Sequence, residues 1–302
     1  MRAFVSGGAG FLGRYLVKEL LEQGFETVLY DRAPPDPGSQ NGEVFSRAEF
    51  VEGDILDRDH LKEAMEGSDL VFHTAAIAEI DRAKTMPVTT MEVNVLGTTN
   101  CLQSALECGV QRFLFASSVY VSGNRGSFYR ISKQTGEALC KSYLEEYGLE
   151  YTILRYGSLY GREANHWNFI YTVCRELLTT GKFHYTSSPE AVREYIHIND
   201  AARETVRIAR DPACANKAVL LTGHQRMKMK EFFEMVEEIL GRKITVTYAR
   251  TSQLHYIRTP YAFTADVPLR YNLPTYVDIS EGILDCLKEV QRELDLEAQE
   301  EA

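Results

Sequence analysis

Residues 3–13 read AFVSGGAGFLG, an apolar run that leads directly into three spaced glycines. The pattern predicts a strand, a tight turn and a helix, because apolar residues continue at helical spacing over 12–23. Gly7 permits the turn, Gly10 lets a ligand approach the backbone, and Gly13 lets the helix pack closely on the strand. The first N–H groups of such a helix are free to bind a pyrophosphate. The sequence therefore predicts a dinucleotide site.

An acidic residue follows the second predicted strand, residues 27–30. Asp31 lies about 20 residues past the glycines, where a carboxylate can accept hydrogen bonds from a ribose 2′-hydroxyl and repel a 2′-phosphate. This favours NAD over NADP, whereas the neighbouring Arg32 favours the phosphate. We predict NAD as the cofactor, with this first group of contacts: Gly7, Gly10, Phe11, Leu12, Gly13, Asp31 and Arg32.

Strand-like and helical segments alternate along the first 160 residues. Strands are predicted at 3–6, 27–30, 49–51, 70–73, 113–117 and 151–155, and helices at 12–23, 59–65, 88–108 and 132–147. This alternation specifies right-handed βαβ crossovers. We therefore predict an α/β fold, a Rossmann-type doubly wound parallel sheet with a smaller, interleaved C-terminal substrate-binding lobe. Residues 1–160, joined by 190–222, form the predicted NAD-binding domain, and 161–189 and 223–302 form the lobe.

Composition excludes several kinds of partner. The 302 residues carry a net charge of −10 without a run of Lys or Arg, which argues against nucleic acid and anionic membranes. No apolar stretch reaches about 18 residues and no signal peptide precedes the first strand, so we expect no membrane span and a cytoplasmic protein. The six cysteines form no CxxC pair, so we expect reduced thiols, with neither a disulfide framework nor a metal site.

Side chains suited to proton transfer follow the fifth predicted strand. Ser117 ends that strand and Ser118 follows it, and Tyr129 and Lys133 lie four residues apart on one predicted helix face. An ammonium beside a phenol lowers the pKa of the phenol, so Tyr129 is a candidate general base. A serine hydroxyl at the strand end can bind the same substrate oxygen, at the edge of the sheet where ligands of such folds bind.

The order and spacing of eight motifs resemble the extended short-chain dehydrogenase/reductase family, and within it the nucleotide-sugar epimerases and dehydratases of the UDP-glucose 4-epimerase type. The motifs are GGAGFLG (7–13), GDILD (53–57), HTAA (73–76), NVLGTTN (94–100), SSVYVSG (117–123), YRISK (129–133), LRYGSLYG (154–161) and REYIHINDAA (193–202). The resemblance implies a nucleotide-diphosphate sugar as substrate and a homodimer.

The resemblance also implies roles for individual residues. Tyr129 matches the catalytic base, Lys133 the lysine that also holds the nicotinamide ribose, and Ser118 the catalytic hydroxyl, because it lies five residues before Gly123. Arg193 resembles the arginine that grips the substrate diphosphate, and a guanidinium can bind phosphate oxygens in a bidentate manner. The other implied cofactor contacts are Asp54, Ile55, Ala75, Ala76, Asn94 and Tyr156, and the other implied substrate contacts are Ser158 and Arg258.

One departure from the family pattern bears on the reaction. Dehydratases of the family carry an acid after the catalytic hydroxyl residue, whereas Val119 and Tyr120 follow Ser118 here. We therefore expect an NAD-dependent nucleotide-sugar epimerase that inverts C4 through a keto intermediate. The alternatives are a keto-sugar-nucleotide reductase or dehydrogenase that uses the same residues, and, from another class, a non-catalytic NAD-binding regulator. The sequence leaves the nucleotide, the sugar and the identity of the inverted carbon open.

Overall fold

A seven-stranded parallel sheet forms the centre of the protein. The computed structural model describes residues 1–35, 45–223 and 226–249. Their strands are β1 (Arg2–Ser6), β2 (Glu26–Asp31), β3 (Glu49–Glu52), β4 (Leu70–His73), β5 (Arg112–Ser118), β6 (Tyr151–Tyr156), β7 (Ser158–Tyr160), β8 (Lys182–Tyr185), β9 (Val192–His197), β10 (Lys217–Leu221), β11 (Arg226–Lys228) and β12 (Thr245–Tyr248). The central order is β10-β6-β5-β4-β1-β2-β3, which confirms the predicted doubly wound Rossmann sheet.

Helices cover both faces of this sheet. They are α1 (Phe11–Glu22), α2 (Arg58–Met65), α3 (Ile80–Thr85), α4 (Pro87–Met91), α5 (Gly97–Glu107), α6 (Ser127–Tyr147), α7 (Phe169–Thr180), α8 (Ile198–Arg210) and α9 (Met229–Leu240). The first core lies under α1 and α8, and the second under α2, α5 and α6. Both faces of β1 are buried, because Phe4 lies in the second core and its neighbour Val5 lies in the first. The strands therefore appear in the sequence as continuous apolar runs.

The helix boundaries differ from the sequence expectation in two places. Helix α6 begins at Ser127 rather than at residue 132, so Tyr129 lies within its first turn. The predicted helix 88–108 is divided by a π-helical segment, Glu92–Leu96, between α4 and α5. Such wide turns frequently occur at functional sites.

A third core lies beyond the central sheet. It packs α7 and α9 around residues such as Val173, Phe183 and Phe233. Strand β9 pairs with β7 and β11 in a three-stranded sheet, and β8 pairs with β12. Within 190–222, helix α8 packs on α1 and β10 joins the central sheet, whereas β9 does not.

Candidate active site

At the glycine turn between β1 and α1, backbone segments approach one another closely. Gly7 has a φ of +73°, and a Cβ there would lie 2.5 Å from the Ala75 backbone nitrogen. A Cβ on Gly13 would lie 2.1 Å from the Gly7 carbonyl oxygen. Helix α1 begins after Gly10, which offers no side-chain cap, and Phe11, Leu12 and Gly13 line a cleft. The uncapped N–H groups therefore face the cleft and fit a pyrophosphate.

Asp31 lies beside this turn at the end of β2. Its carboxylate accepts a hydrogen bond from the Ala9 backbone N–H at 3.0 Å and one from the Arg32 N–H at 2.8 Å. Asp31 and Arg32 both line the cleft. The carboxylate therefore lies where the sequence predicts that the ribose of NAD binds.

The cleft has a volume of about 1280 Å³ and runs along the carboxyl edge of the central sheet. Sites for one small ligand typically measure about 300–1,000 Å³, so two ligands of nucleotide size are compatible with this volume. Further residues that the sequence named and that line the cleft are Asp54, Ile55, Ala75, Ala76, Ser118, Tyr129, Lys133, Tyr156 and Ser158.

Three of these residues are those for which the sequence predicts proton transfer: Ser118, Tyr129 and Lys133. Ser118 ends β5, and Tyr129 and Lys133 lie one turn apart on α6. The Lys133 Nζ lies 6.0 Å from the centre of the Tyr129 ring and 5.0 Å from the centre of the Phe115 ring. Lys133 is buried, while Tyr129 keeps part of its surface exposed to the cleft. The structure thus brings the predicted hydroxyl, phenol and ammonium together.

Burial dominates the acidity of this site. It raises the pKa of Tyr129 to about 12, although a hydrogen bond with Ser118 acts in the opposite direction. It lowers the pKa of Lys133 from its ordinary 10.5 to about 8. The sequence predicted that the ammonium would bring the pKa of the phenol down towards neutrality. In the structure the loss of hydration outweighs the hydrogen bond with Ser118, so the phenol stays protonated at neutral pH.

Asn94 has a different place from the predicted cofactor contact. It is buried in the π-helical segment, and the Ile77 N–H donates to its Oδ1 at 2.7 Å. Its Nδ2 donates to the Ile77 carbonyl at 3.0 Å and to the Ser132 Oγ at 2.9 Å. Asn94 does not line the cleft, whereas Ile77 does. The amide therefore connects a loop of the cleft wall to the helix that carries Tyr129.

Arg193, one of the two predicted phosphate arginines, does not belong to the described wall of the cleft. Arg193 is 8% exposed, its Nη1 donates to the Val192 carbonyl at 3.0 Å, and it is absent from the described lining of the cleft. Arg258 lies outside the described residues. The nearby wall contributes side chains that the sequence did not single out: Asn165, Trp167, Asn168, Phe169, Thr186 and Tyr195. The sequence assigned no role to Tyr195, although it lies in the motif at 193–202, and no motif covers the other five residues.

His73 is a structural residue, as its position at the end of a buried strand predicts. Its Nδ1 lies 2.6 Å from the Ser6 Oγ and its Nε2 lies 2.9 Å from the Thr98 Oγ1, so both nitrogens have partners. Burial, with a smaller contribution from the nearby Lys133 charge, lowers the pKa of His73 to about 3. The ring is therefore neutral and ties β4 to β1 and α5.

Within the described ranges, no three His, Cys, Asp or Glu side chains are grouped in a way that could hold a metal ion. None of the described helices has the length and apolar character that crossing a bilayer requires.

A Rossmann sheet with a glycine turn at β1 and a Tyr129–Lys133 pair at the carboxyl edge defines a dinucleotide-dependent short-chain dehydrogenase/reductase. The comparison with protein families agrees, because the NAD dependent epimerase/dehydratase family matches residues 3–220. The chain belongs to this family, which confirms the resemblance found in the sequence. It is an NAD-dependent enzyme, and its cofactor is NAD.

Individual proteins are also similar to this chain in sequence or in structure. The chain is 28% identical over 300 residues to a putative UDP-glucose 4-epimerase of Methanocaldococcus jannaschii, covering 92% of this chain and 95% of that protein. It is similar in structure to the UDP-glucose 4-epimerase of Thermotoga maritima, with a TM-score of 0.75, 23% identity and 87% and 90% coverage of the two chains. A dTDP-glucose 4,6-dehydratase of Streptomyces venezuelae with NAD bound has a TM-score of 0.73, 26% identity and 83% and 85% coverage.

Proposed function

We propose that this protein is an NAD-dependent nucleotide-sugar epimerase that inverts C4 through a keto intermediate. The observation that carries the proposal is the convergence of Ser118, Tyr129 and Lys133 on a cleft of about 1280 Å³ beside the glycine turn. The position after Ser118 holds Val119, where a dehydratase of the family carries an acid. The relatives described as UDP-glucose epimerases support the same reaction.

Each residue of the proposed site has its own role in the reaction. When bound, NAD supplies the acceptor that takes a hydride from the sugar carbon and returns it, and the positive charge of its oxidised ring favours the phenolate. Tyr129 Oη removes the proton of the C4 hydroxyl and later returns it. The Lys133 ammonium stabilises the phenolate, and the Ser118 hydroxyl orients the same sugar oxygen. Inversion requires the keto sugar to present its other face, for which a wide cleft leaves room.

The binding roles extend the proposal along the chain. Residues 1–160 with 190–222 would bind NAD, with Asp31 as the acceptor for the ribose hydroxyls. Residues 161–189 and 223–302 would bind the nucleotide sugar, together with Ser158, which lies outside this lobe at the wall of the cleft. Arg193 and Arg258 are proposed phosphate ligands. For Arg193 this requires the buried guanidinium to turn from the Val192 carbonyl towards the cleft.

Exposed apolar side chains on neighbouring helices support the proposed homodimer. Val88, Leu96, Ile131 and Tyr147 lie on the segment from α4 to α5 and on α6, and each exposes a large apolar side chain to solvent. Helices α5 and α6 pack against each other, so a second copy would cover both at once. The five described cysteines are all free thiols, which supports a cytoplasmic location.

A panel of UDP-, dTDP-, GDP- and CDP-sugars, followed by NMR without added cofactor, tests the function. We expect one sugar nucleotide and its C4 epimer to reach the same ratio from either direction, with no lasting change in absorbance of reduced cofactor. The alternative function is a keto-sugar-nucleotide reductase. Stoichiometric consumption of NADH or NADPH with a 4-keto sugar nucleotide would support that enzyme and refute the epimerase.

A further inference from the structure

We propose that Glu137 is a positioning residue, whose carboxylate locks the helix that carries Tyr129 and Lys133 to the strand ends that carry Ser118. Glu137 does not line the cleft, so it acts on the reaction only through other residues. The inference rests on the proposed function, since turnover is one of its readouts.

The helix presents Glu137 on the same side as the reacting residues. Tyr129, Lys133 and Glu137 follow each other at intervals of four on α6, which places them along one face. Glu137 is 5% exposed. The preceding Gly136 packs so closely on β5 that a Cβ there would lie 2.3 Å from the Phe115 Cζ. The helix therefore packs closely on the Phe115 ring of β5 at the level of Glu137.

Two strands hold the carboxylate from the other side. The Ser117 Oγ on β5 donates to Glu137 Oε1 at 2.6 Å. Arg155 on β6 donates through Nε to Oε1 at 2.9 Å and through Nη2 to Oε2 at 2.6 Å. A bidentate pair of this kind fixes orientation as well as distance. Glu137 thus joins a helix and two neighbouring strands through three charge-assisted hydrogen bonds.

The positions of Ser117 and Arg155 in the sheet link Glu137 to the reaction. Ser117 and Arg155 are paired across β5 and β6, and the next pair towards the cleft is Ser118 and Tyr156. Glu137 therefore fixes the strand one residue before the catalytic hydroxyl and the helix one turn beyond Lys133. A small displacement of α6 would separate the Tyr129 phenol from Ser118, and a misplacement of about 1 Å can cost about 100-fold in rate.

The variant Glu137→Gln tests this inference, since it keeps the size of the side chain and removes its charge. We expect kcat to fall at least tenfold, with KM and NAD affinity within about threefold of the wild type, because the cleft lining is unchanged. The matched control is Glu150→Gln, which breaks an ion pair with Arg112 at 3.4 Å near the opposite ends of the same two strands. Its kcat should stay within twofold of the wild type.

A second variant covers the case in which the unpaired Arg155 prevents folding. Replacing both partners in Glu137→Met/Arg155→Met leaves no buried charge unpaired, and such replacements are often tolerated. We expect this folded double variant to be as slow as Glu137→Gln. A double variant with wild-type kcat would overturn the proposal, because Glu137 would then serve only to balance the charge of Arg155.

The outcomes for the two proposals can be told apart. In an active wild type, a folded Glu137→Gln protein with wild-type kcat would overturn the proposal for Glu137, whereas a wild type without epimerase activity would refute the proposed function alone.

Discussion

Replacing Lys133 by Met should stabilise the NAD-free protein while abolishing turnover. Met has nearly the same length and packs on Phe115 without a charge. Burial lowers the pKa of Lys133 from 10.5 to about 8, and each pKa unit corresponds to about 1.4 kcal/mol. The buried ammonium therefore costs about 3 kcal/mol of folding free energy at neutral pH, and the Met variant avoids that cost.

The sign of the effect depends on pH in a defined way. Between pH 8 and pH 10.5 the unfolded chain binds more protons at Lys133 than the folded protein does, so the wild type gains stability as pH rises. Below pH 8 the cost is fully present. The free-energy difference between Lys133→Met and wild type should thus be largest, up to about 3 kcal/mol, near pH 7 and should shrink as the pH approaches 10.

Urea unfolding of NAD-free protein, followed by circular dichroism at several pH values, measures this difference. Lys141→Met is the matched control, because Lys141 is an exposed lysine on the same helix, and its free energy of unfolding at pH 7 should stay within about 0.5 kcal/mol of the wild-type value. A Lys133→Met protein that is less stable than wild type at pH 7 would refute the reasoning. So would a stability gain of constant size across the pH range.

The remaining predictions concern rate and binding. Tyr129→Phe should lower kcat at least 100-fold and leave NAD affinity intact; retention of more than about a tenth of the rate would remove the phenol from proton transfer. Asp31→Ala should relax the preference for NAD in titrations with both cofactors, and a wild type that prefers NADP would show that Arg32 governs this site. Arg193→Ala should weaken nucleotide-sugar binding by about 1.5–3 kcal/mol with little effect on the affinity for NAD. Equal affinity of the wild type and the variant for the nucleotide sugar would exclude Arg193 as a phosphate ligand. The wild-type kcat/KM should fall as pH rises through about 8, where Lys133 loses its proton, and Lys133→Arg should not show this decline if it is active.

The parts of the site that lie close together in sequence could be predicted from it. The glycine turn and the Tyr129–Lys133 pair depend on local geometry, that is on a strand, a turn and one helical turn. Asp31 could be predicted because parallel strands all end at the same edge of a sheet, where β2 delivers it beside the turn.

Residues that meet through tertiary packing could not be predicted in the same way. Glu137 and Arg155 are 18 positions apart and belong to different elements, so no spacing rule joins them. The buried place of Asn94 depends on a π-helical segment that hydrophobic periodicity does not distinguish from an α-helix. The pKa of Tyr129 depends on how far the fold excludes water from its phenol. The sequence shows that Lys133 lies nearby, but it does not show this loss of hydration.

The fate of the hydrogen at C4 tests the proposed reaction most directly. The nucleotide sugar that the NMR panel identifies would be prepared with deuterium at C4 and converted in ordinary water with excess unlabelled NADH. An epimerase that takes a hydride onto bound NAD and returns it to the same sugar predicts that the C4 epimer keeps its deuterium at C4. Deuterium lost to water, or replaced by hydrogen from the added NADH, would contradict the proposed function.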